Sequence, residues 1–212
     1  MKPEQKKLKQ VQRKAKKIEE SLSYTVEVTD KEGRVLQRIS APSRSYVKAW
    51  NQLIDSHAKT TDPGGPFVIV TDTSEANKNA YSATRTLKAD AAIGSVTYGI
   101  RIGKGATAVT IDDYALESPC GEGSGVNQFE HQAVQFTEPI VSGSTCYFTV
   151  KRVMLNNSGA TITGIREIGC YIQFTASALG QRAMGFRDVL PSAVTIPDGG
   201  AITVTYTLKV TV

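Results

Sequence analysis

The sequence predicts a mainly β protein whose larger part is an antiparallel β-sandwich. Residues 201–212 alternate apolar and polar side chains, which is typical of a strand with one buried and one solvated face. After residue 66, short β-type segments follow one another, separated by turns rich in Gly, Ser, Asn and Asp. No helical segments alternate with these strands, which favours antiparallel sheets over a parallel sheet with crossover helices.

The composition is that of an ordinary soluble domain, with 40% apolar and 21% charged residues among 212. The net charge of +5 is carried by residues 1–20, which hold eight basic and three acidic side chains, while the rest of the chain is balanced. No apolar run approaches the roughly 20 residues that span a bilayer, so no membrane contact is expected. Cys120, Cys146 and Cys170 are widely spaced without a metal-binding pattern, which indicates reduced thiols and a cytoplasmic site of synthesis.

Residues 1–22 are predicted to form a basic amphipathic helix from about residue 4, because apolar side chains recur at heptad spacing. One interpretation is a docking or oligomerisation helix, with an assembly interface made of Leu8, Val11, Ile18, Leu22, Lys14 and Glu19, and with Ala15 also in the seam. The second is contact with an anionic surface such as nucleic acid through Lys6, Lys7, Lys9, Arg13, Lys16 and Lys17. The third is a solvated terminus without a partner.

Residues 23–60 are predicted to form a β-hairpin followed by a helix. Apolar residues alternate up to Val28, the Asp30–Gly33 segment supplies a turn, and a second strand returns to Ile39. Ser43 or Ser45 is expected to cap a helix that runs to about Ala58. Its apolar face is expected to pack against a sheet through Tyr46, Val47, Trp50, Leu53, Ile54 and His57.

Residues 61–212 are predicted to form the sandwich itself, Ig-like or jelly-roll-like, after a linker rich in Pro and Gly at 62–66. Residues 73–92 are predicted to be a long loop. The expected strands are 67–71, 96–102, 129–137, 145–155, 161–174 and 202–212, the last of them entered through a turn at 197–200.

No catalytic, metal-binding or cofactor-binding residue is predicted. His57 and His131 lie in apolar surroundings that favour packing roles, and the glycines at 103 and 105 lack the spacing of a phosphate loop. The cluster of Asp112, Asp113 and Glu117 lacks the alternate ligand spacing of a calcium loop and is expected to be solvated. Glu167 is expected to form a structural ion pair with Arg152 or Arg187.

Several segments together resemble a group of tailed-bacteriophage virion proteins of the tail-fibre and head-appendage type. These segments are APSRSYVK at 41–48, YGIRIGKG at 98–105, DDYAL at 112–116, NNSGATIT at 156–163, REIG at 166–169, RDVL at 187–190 and PDGG at 197–200. The chain departs from the expected pattern at Gly164-Ile165, where one extra residue predicts a β-bulge.

The resemblance implies a non-enzymatic structural component of a virion, made in the host cytoplasm and located in a tail, neck or head appendage. Its partners would be other virion proteins and copies of itself, with a trimer expected. One alternative is recognition of host surface glycans by the loops at 103–107, 119–128 and 156–160, with Tyr98, Tyr114 and Phe129 as aromatic platforms. Another is contact of the basic helix with packaged DNA, which would weaken steeply with salt.

Overall fold

The computed structural model describes residues 19–43, 45–58, 68–80, 87–176 and 179–212. These residues form thirteen strands and one helix. In chain order the elements are β1 (Glu19–Thr29), β2 (Val35–Ser43), α1 (Lys48–Ala58), β3 (Val68–Thr71), β4 (Asn77–Ala80), β5 (Gly99–Gly103), β6 (Gly121–Glu122), β7 (Gln128–His131), β8 (Gln135–Phe136), β9 (Ile140–Ser142), β10 (Thr145–Leu155), β11 (Ile162–Ala176), β12 (Leu179–Ile196) and β13 (Ala201–Thr211).

A large sheet is built around β13, which pairs along its whole length with β1 on one side and β10 on the other. Its strand order is β2-β1-β13-β10-β7-β6, and β8 and β9 also pair with β10. All of these pairs are antiparallel except β6 with β7. The register places Tyr24, Tyr206 and Val150 side by side, and all three are buried, which fixes the inner face of this sheet.

A second sheet of strand order β12-β11-β5 packs against that inner face. The rings of Phe186 on β12 and Tyr206 on β13 meet edge to face, with centroids 4.6 Å apart. The predicted mainly β, antiparallel sandwich is therefore confirmed. A two-stranded ribbon, β3-β4, approaches the small sheet where the Thr73 backbone N–H donates to the Arg182 carbonyl at 2.9 Å.

The longest strand, β12, was not predicted from the sequence. Its central residues are buried on both faces, so they show no alternation of apolar and polar side chains. Arg187 and Asp188 are among these buried residues, and Pro191 follows them within the same strand. Charged residues and proline are depleted in strands, and this segment therefore resembles a loop in sequence.

The predicted hairpin is confirmed as β1 and β2, and β1 pairs with β13 of the sandwich. The predicted units at 23–60 and 61–212 thus both contribute strands to one sheet, and the boundary between them lies outside the described residues. The predicted helix is present as α1, and Trp50 stacks on Tyr46 and meets Phe186 on the small sheet. Ile54 is exposed, contrary to the prediction.

The N-terminal helix predicted over residues 4–22 is wrong at its C-terminal end. Glu19 and Leu22 belong to β1, where they pair with Thr211 and Leu208 of β13. Leu22 shares the even-numbered, inward face of β1 with Tyr24 and is only 2% exposed. Cross-strand pairing and burial therefore outweigh the heptad spacing here, and Leu22 is not available for a helical seam.

Several other predictions concern residues outside the described ranges. These are the remaining seam residues Leu8, Val11, Lys14, Ala15 and Ile18, the basic residues Lys6, Lys7, Lys9, Arg13, Lys16 and Lys17, and the linker at 62–66. The described part of the chain has no helix long and apolar enough to cross a membrane.

The bulge predicted at Gly164-Ile165 and the turn predicted at 197–200 are both confirmed. Gly164 has a φ of +80°, and the register of β11 with β12 shifts on either side of Ile165, as expected of a bulge. In the turn before β13, Gly199 has a φ of +71° and the Gly200 N–H donates to the Pro197 carbonyl at 3.0 Å.

Candidate functional site

A fully buried carboxylate, Glu167, lies at the centre of the outer face of the small sheet. Its Oε2 accepts a hydrogen bond from Arg187 Nε at 3.1 Å, which confirms one of the two partners predicted for it. Three backbone N–H groups also donate to it, from Gly105 at 3.0 Å, Glu117 at 3.0 Å and Ser118 at 2.7 Å. The carboxylate thus holds both ends of the loop at 104–118 against the sheet.

The close approach of the Glu167 carboxylate explains why residues 103 and 105 are glycine. A Cβ atom added to Gly103 would lie 2.4 Å from Glu167 Oε1, and one added to Gly105 would lie 2.7 Å from its carboxyl carbon. Any larger residue would displace the buried carboxylate. Gly103 ends β5 and Gly105 lies just beyond it, and this close approach gives both positions a structural reason to be glycine.

Asp112 and Glu117 are exposed, as predicted, and basic side chains and backbone groups engage all three acidic residues of the cluster. Arg187 contacts Asp113 at 2.9 Å and Glu117 at 3.7 Å. Asp112 pairs with Lys48 at the start of α1, at 2.6 Å. Hydrogen bonds from Thr107, joined by one from Ala106 and by the Arg187 charge, hold the pKa of Glu117 below its usual value. In the described ranges, no three His, Cys, Asp or Glu residues form a metal-binding group.

A second polar cluster lies at the end of β7. His131 is fully buried, and its Nδ1 lies 2.7 Å from Glu122 Oε2 and 2.9 Å from the Phe129 carbonyl. Burial, and then the positive charge of Arg152, lowers the pKa of His131 to about 4. The ring is therefore neutral near pH 7 and inaccessible to a substrate, so His131 has the packing role that was predicted. His57 lies in α1.

Arg152, also fully buried, joins the two sheets without a direct carboxylate partner. Its guanidinium donates to the backbone carbonyls of Gln132, Ile100, Ala92 and Ser95, at distances between 2.7 and 3.2 Å. These bonds fix the turn at 92–95 and the strand β5 against β10. Arg152 is therefore a structural residue and does not contact Glu167, the other partner considered for it.

A buried carboxyl group, Asp188, lines a cavity of about 460 Å³ between β2 and β12. The Tyr206 hydroxyl donates to it at 3.1 Å, and the hydroxyls of Ser43 and Ser45 also bond it. Burial raises the pKa of Asp188 in spite of these bonds. The two serines, which the sequence predicted as helix caps, instead tie β2 to β12 and bond each other at 2.7 Å.

The inner face of the large sheet ends in an apolar surface that no described element covers. We call Val141, Cys146, Val210 and Val212 the open end. Val141, Cys146 and Val210 are direct cross-strand neighbours on β9, β10 and β13, and they lie on the face that is buried further along the sheet. Val141 is 74% exposed, Val210 44% and Val212 55%.

The open end adjoins the point where the N-terminal segment enters the sheet. Glu20 pairs with Val210 and Glu19 with Thr211, so the first described residues lie beside the exposed valines. Most of the seam residues predicted for assembly precede them in the sequence and lie outside the described ranges. The sequence predicted β10 and β13 as strands, but it predicted a turn at 141–144, where β9 carries Val141, and it did not predict that the strand ends are exposed.

Most of the residues considered for glycan recognition are buried or form hydrogen bonds within the protein. Phe129 is fully buried, so its predicted role as an exposed aromatic platform is wrong. Tyr114 is partly buried, and its hydroxyl donates to Glu75 at 3.2 Å. Asn156, in the loop at 156–160, is fully buried and donates to the carbonyls of Ala160, Ile196 and Pro197.

No protein-family model, no curated protein and no solved structure matches this chain.

Proposed function

We propose that this protein is a non-enzymatic structural component of a tailed-phage virion and assembles as a homo-oligomer through protein–protein contacts. The virion assignment is based on the sequence resemblance, and a trimer in a tail, neck or head appendage is part of the same proposal. The observation that supports the assembly role is the open end, an apolar surface beside the start of β1 that no described element covers.

The roles of the buried charges support a structural function. Glu167 and Arg187 hold a loop, Arg152 joins the sheets, and His131 is neutral and enclosed. An active site needs titratable groups that face a space where a substrate can react. These four groups instead use their hydrogen bonds on the protein's own backbone and side chains.

A second copy of this chain is the occupant that fits the open end. Glu19, the first described residue, pairs with Thr211 beside the open end, and the sequence predicts association through Leu8, Val11 and Ile18 in the segment that precedes it. Burying one valine side chain stabilises by about 1.5 kcal/mol, so three partly exposed valines contribute only a few kcal/mol per copy. We therefore infer that the open end and the N-terminal seam contribute to one interface.

The free edge of β2 is a less suitable interface. Among the described strands β2 pairs only with β1, so its other side has unpaired backbone groups. This strand carries Arg38, paired with Glu27, and Pro42 near its end. Charges and proline are the features by which natural edge strands avoid pairing with other chains.

Sedimentation velocity over a range of concentrations tests this interface. Val210→Lys places a charge in the open end, and Val126→Lys makes the same change at a residue that is 85% exposed, in the loop before β7. The wild-type chain and Val126→Lys are expected to form the same oligomer, whereas Val210→Lys raises its dissociation constant at least roughly tenfold. Equal behaviour of both variants, or a wild type that stays monomeric, would contradict the proposal.

The virion assignment has a separate test. Mass spectrometry of particles purified from an infected host is expected to detect the protein in fixed proportion to known capsid proteins. Deleting its gene is expected to give particles that lack one appendage in negative-stain images. Complete particles that never contain the protein would refute this assignment, even if the purified chain forms oligomers.

A further inference from the structure

A second cavity lies on the outer face of the small sheet, on the other side of Leu116 from the Arg187 cluster. It has a volume of about 410 Å³ and is lined by Arg101, Arg182, Tyr171, Thr73 and Thr97, with Leu116 on its apolar wall. The register explains why the two arginines share this face. Arg101 pairs with Gly169, and Arg182 pairs with Gln173, both on the outward side of β11 with Tyr171.

Arg101 is a buried positive charge to which no carboxylate of the described residues is bound. It is 7% exposed, and its guanidinium donates to the carbonyls of Val96 and Cys120 and lies over the Tyr171 ring at 5.9 Å. Its Nε is buried and has no hydrogen-bond partner. Glu122 is the nearby negative charge, but it makes no ion pair with Arg101 and its carboxylate bonds His131.

Arg182 also lacks a carboxylate partner among the described residues, and its Nε likewise has no acceptor. Its side chain forms no hydrogen bond or ion pair with any described residue, and its Nε is buried. No carboxylate is among the described residues that line the cavity, although Arg187 on the same strand contacts three. On this face of the sheet, Arg187 is therefore paired with acidic residues. Arg101 and Arg182 instead face a cavity whose described lining has no acidic residue.

Removing positive charge from water without a nearby negative charge is costly, and an anion in the cavity would offset that cost. We propose that this cavity binds a dianionic phosphate group, as free phosphate or as the phosphomonoester of a small molecule. Two negative charges balance two guanidinium groups, whose planar N–H donors match phosphate oxygens. The hydroxyls of Thr73 and Thr97 supply further donors at the same cavity. This inference does not depend on the proposed virion function.

The test uses the full chain and two variants that remove one positive charge each. Arg182→Gln changes the cavity, and Arg166→Gln changes an exposed residue of β11 outside it. Inorganic phosphate is expected to raise the melting temperature of the wild type and of Arg166→Gln saturably, compared with chloride at equal ionic strength. Arg182→Gln is expected to bind phosphate at least roughly tenfold more weakly, the factor that one lost charge-assisted hydrogen bond represents.

A direct readout is the ¹⁵N–¹H signal of the Arg101 Nε group, which is expected to shift on phosphate addition. Tighter binding of glycerol 3-phosphate would assign the cavity to a phosphomonoester, and equal or weaker binding would assign it to free phosphate. The proposal is overturned if the two variants respond equally, if the Nε signal does not move, or if the monoanion dimethyl phosphate binds as well as phosphate.

Discussion

Replacing Glu167 with glutamine should lower the free energy of unfolding more than any conservative substitution on the protein surface. Oε1 of Glu167 accepts from the N–H groups of Gly105 and Ser118, and Oε2 accepts from Glu117 N–H and Arg187 Nε. A glutamine side chain has one oxygen, so its NH₂ group must face two donors in whichever orientation it adopts. The substitution preserves the volume and removes one of the two acceptor oxygens together with the negative charge.

The expected cost can be worked out from these bonds. Breaking a buried ion pair by removing one partner costs about 3–5 kcal/mol, because the other charge stays buried. Arg187 retains Asp113 and Glu117 as partners, so we expect a value near 3 kcal/mol at neutral pH. The matched control is Glu27→Gln, which breaks the exposed pair with Arg38 and should cost less than about 1 kcal/mol.

Urea unfolding followed by circular dichroism measures both variants. Hydrogen exchange should also show faster exchange of the amides of residues 105, 117 and 118 in Glu167→Gln. If this variant loses no more stability than Glu27→Gln, or if those three amides keep their protection, the carboxylate does not hold the loop.

Two further predictions concern other buried polar groups. The pKa of His131 is about 4 in the folded chain and about 6.5 when unfolded, so the unfolded state binds the proton first. Stability that is present above pH 6.5 should thus fall by up to about 3 kcal/mol as the pH drops to 4, and His131→Gln should flatten this dependence in urea titrations at several pH values. Asn156→Ala removes three bonds to buried carbonyls and should cost about 2–3 kcal/mol, whereas Asn157→Ala at the exposed neighbour should be near neutral. A His131→Gln variant with the wild-type pH dependence, or equal costs at 156 and 157, would contradict these assignments.

Much of the fold could be predicted because most strands have one solvated face. β10 begins and ends where the alternation of its side chains predicted, and β13 differs by one residue. β12 could not be predicted in this way, since both of its faces are covered in the middle of the strand. At Leu22, helical spacing and strand alternation both fit, and only the pairing with Leu208 distinguishes them.

The polar sites were predictable in part. The sequence predicted a structural ion pair of Glu167 with Arg152 or Arg187, and Arg187 is the partner in the structure. Its three backbone donors lie 49 to 62 positions away along the chain, in a loop whose path is set by tertiary contacts. The open end was not predictable either, because its exposure depends on where the small sheet stops covering the large one.

Thiol labelling of Cys146 tests the central claim, that copies of this chain meet at the open end. Cys120 and Cys170 are internal controls, since both are buried and burial raises their pKa to about 11 and about 12. We expect Cys146 to react quickly in dilute protein, to become protected as the concentration rises, and to stay reactive throughout in Val210→Lys. A labelling rate of Cys146 that is the same at every concentration and in both proteins would contradict the claim.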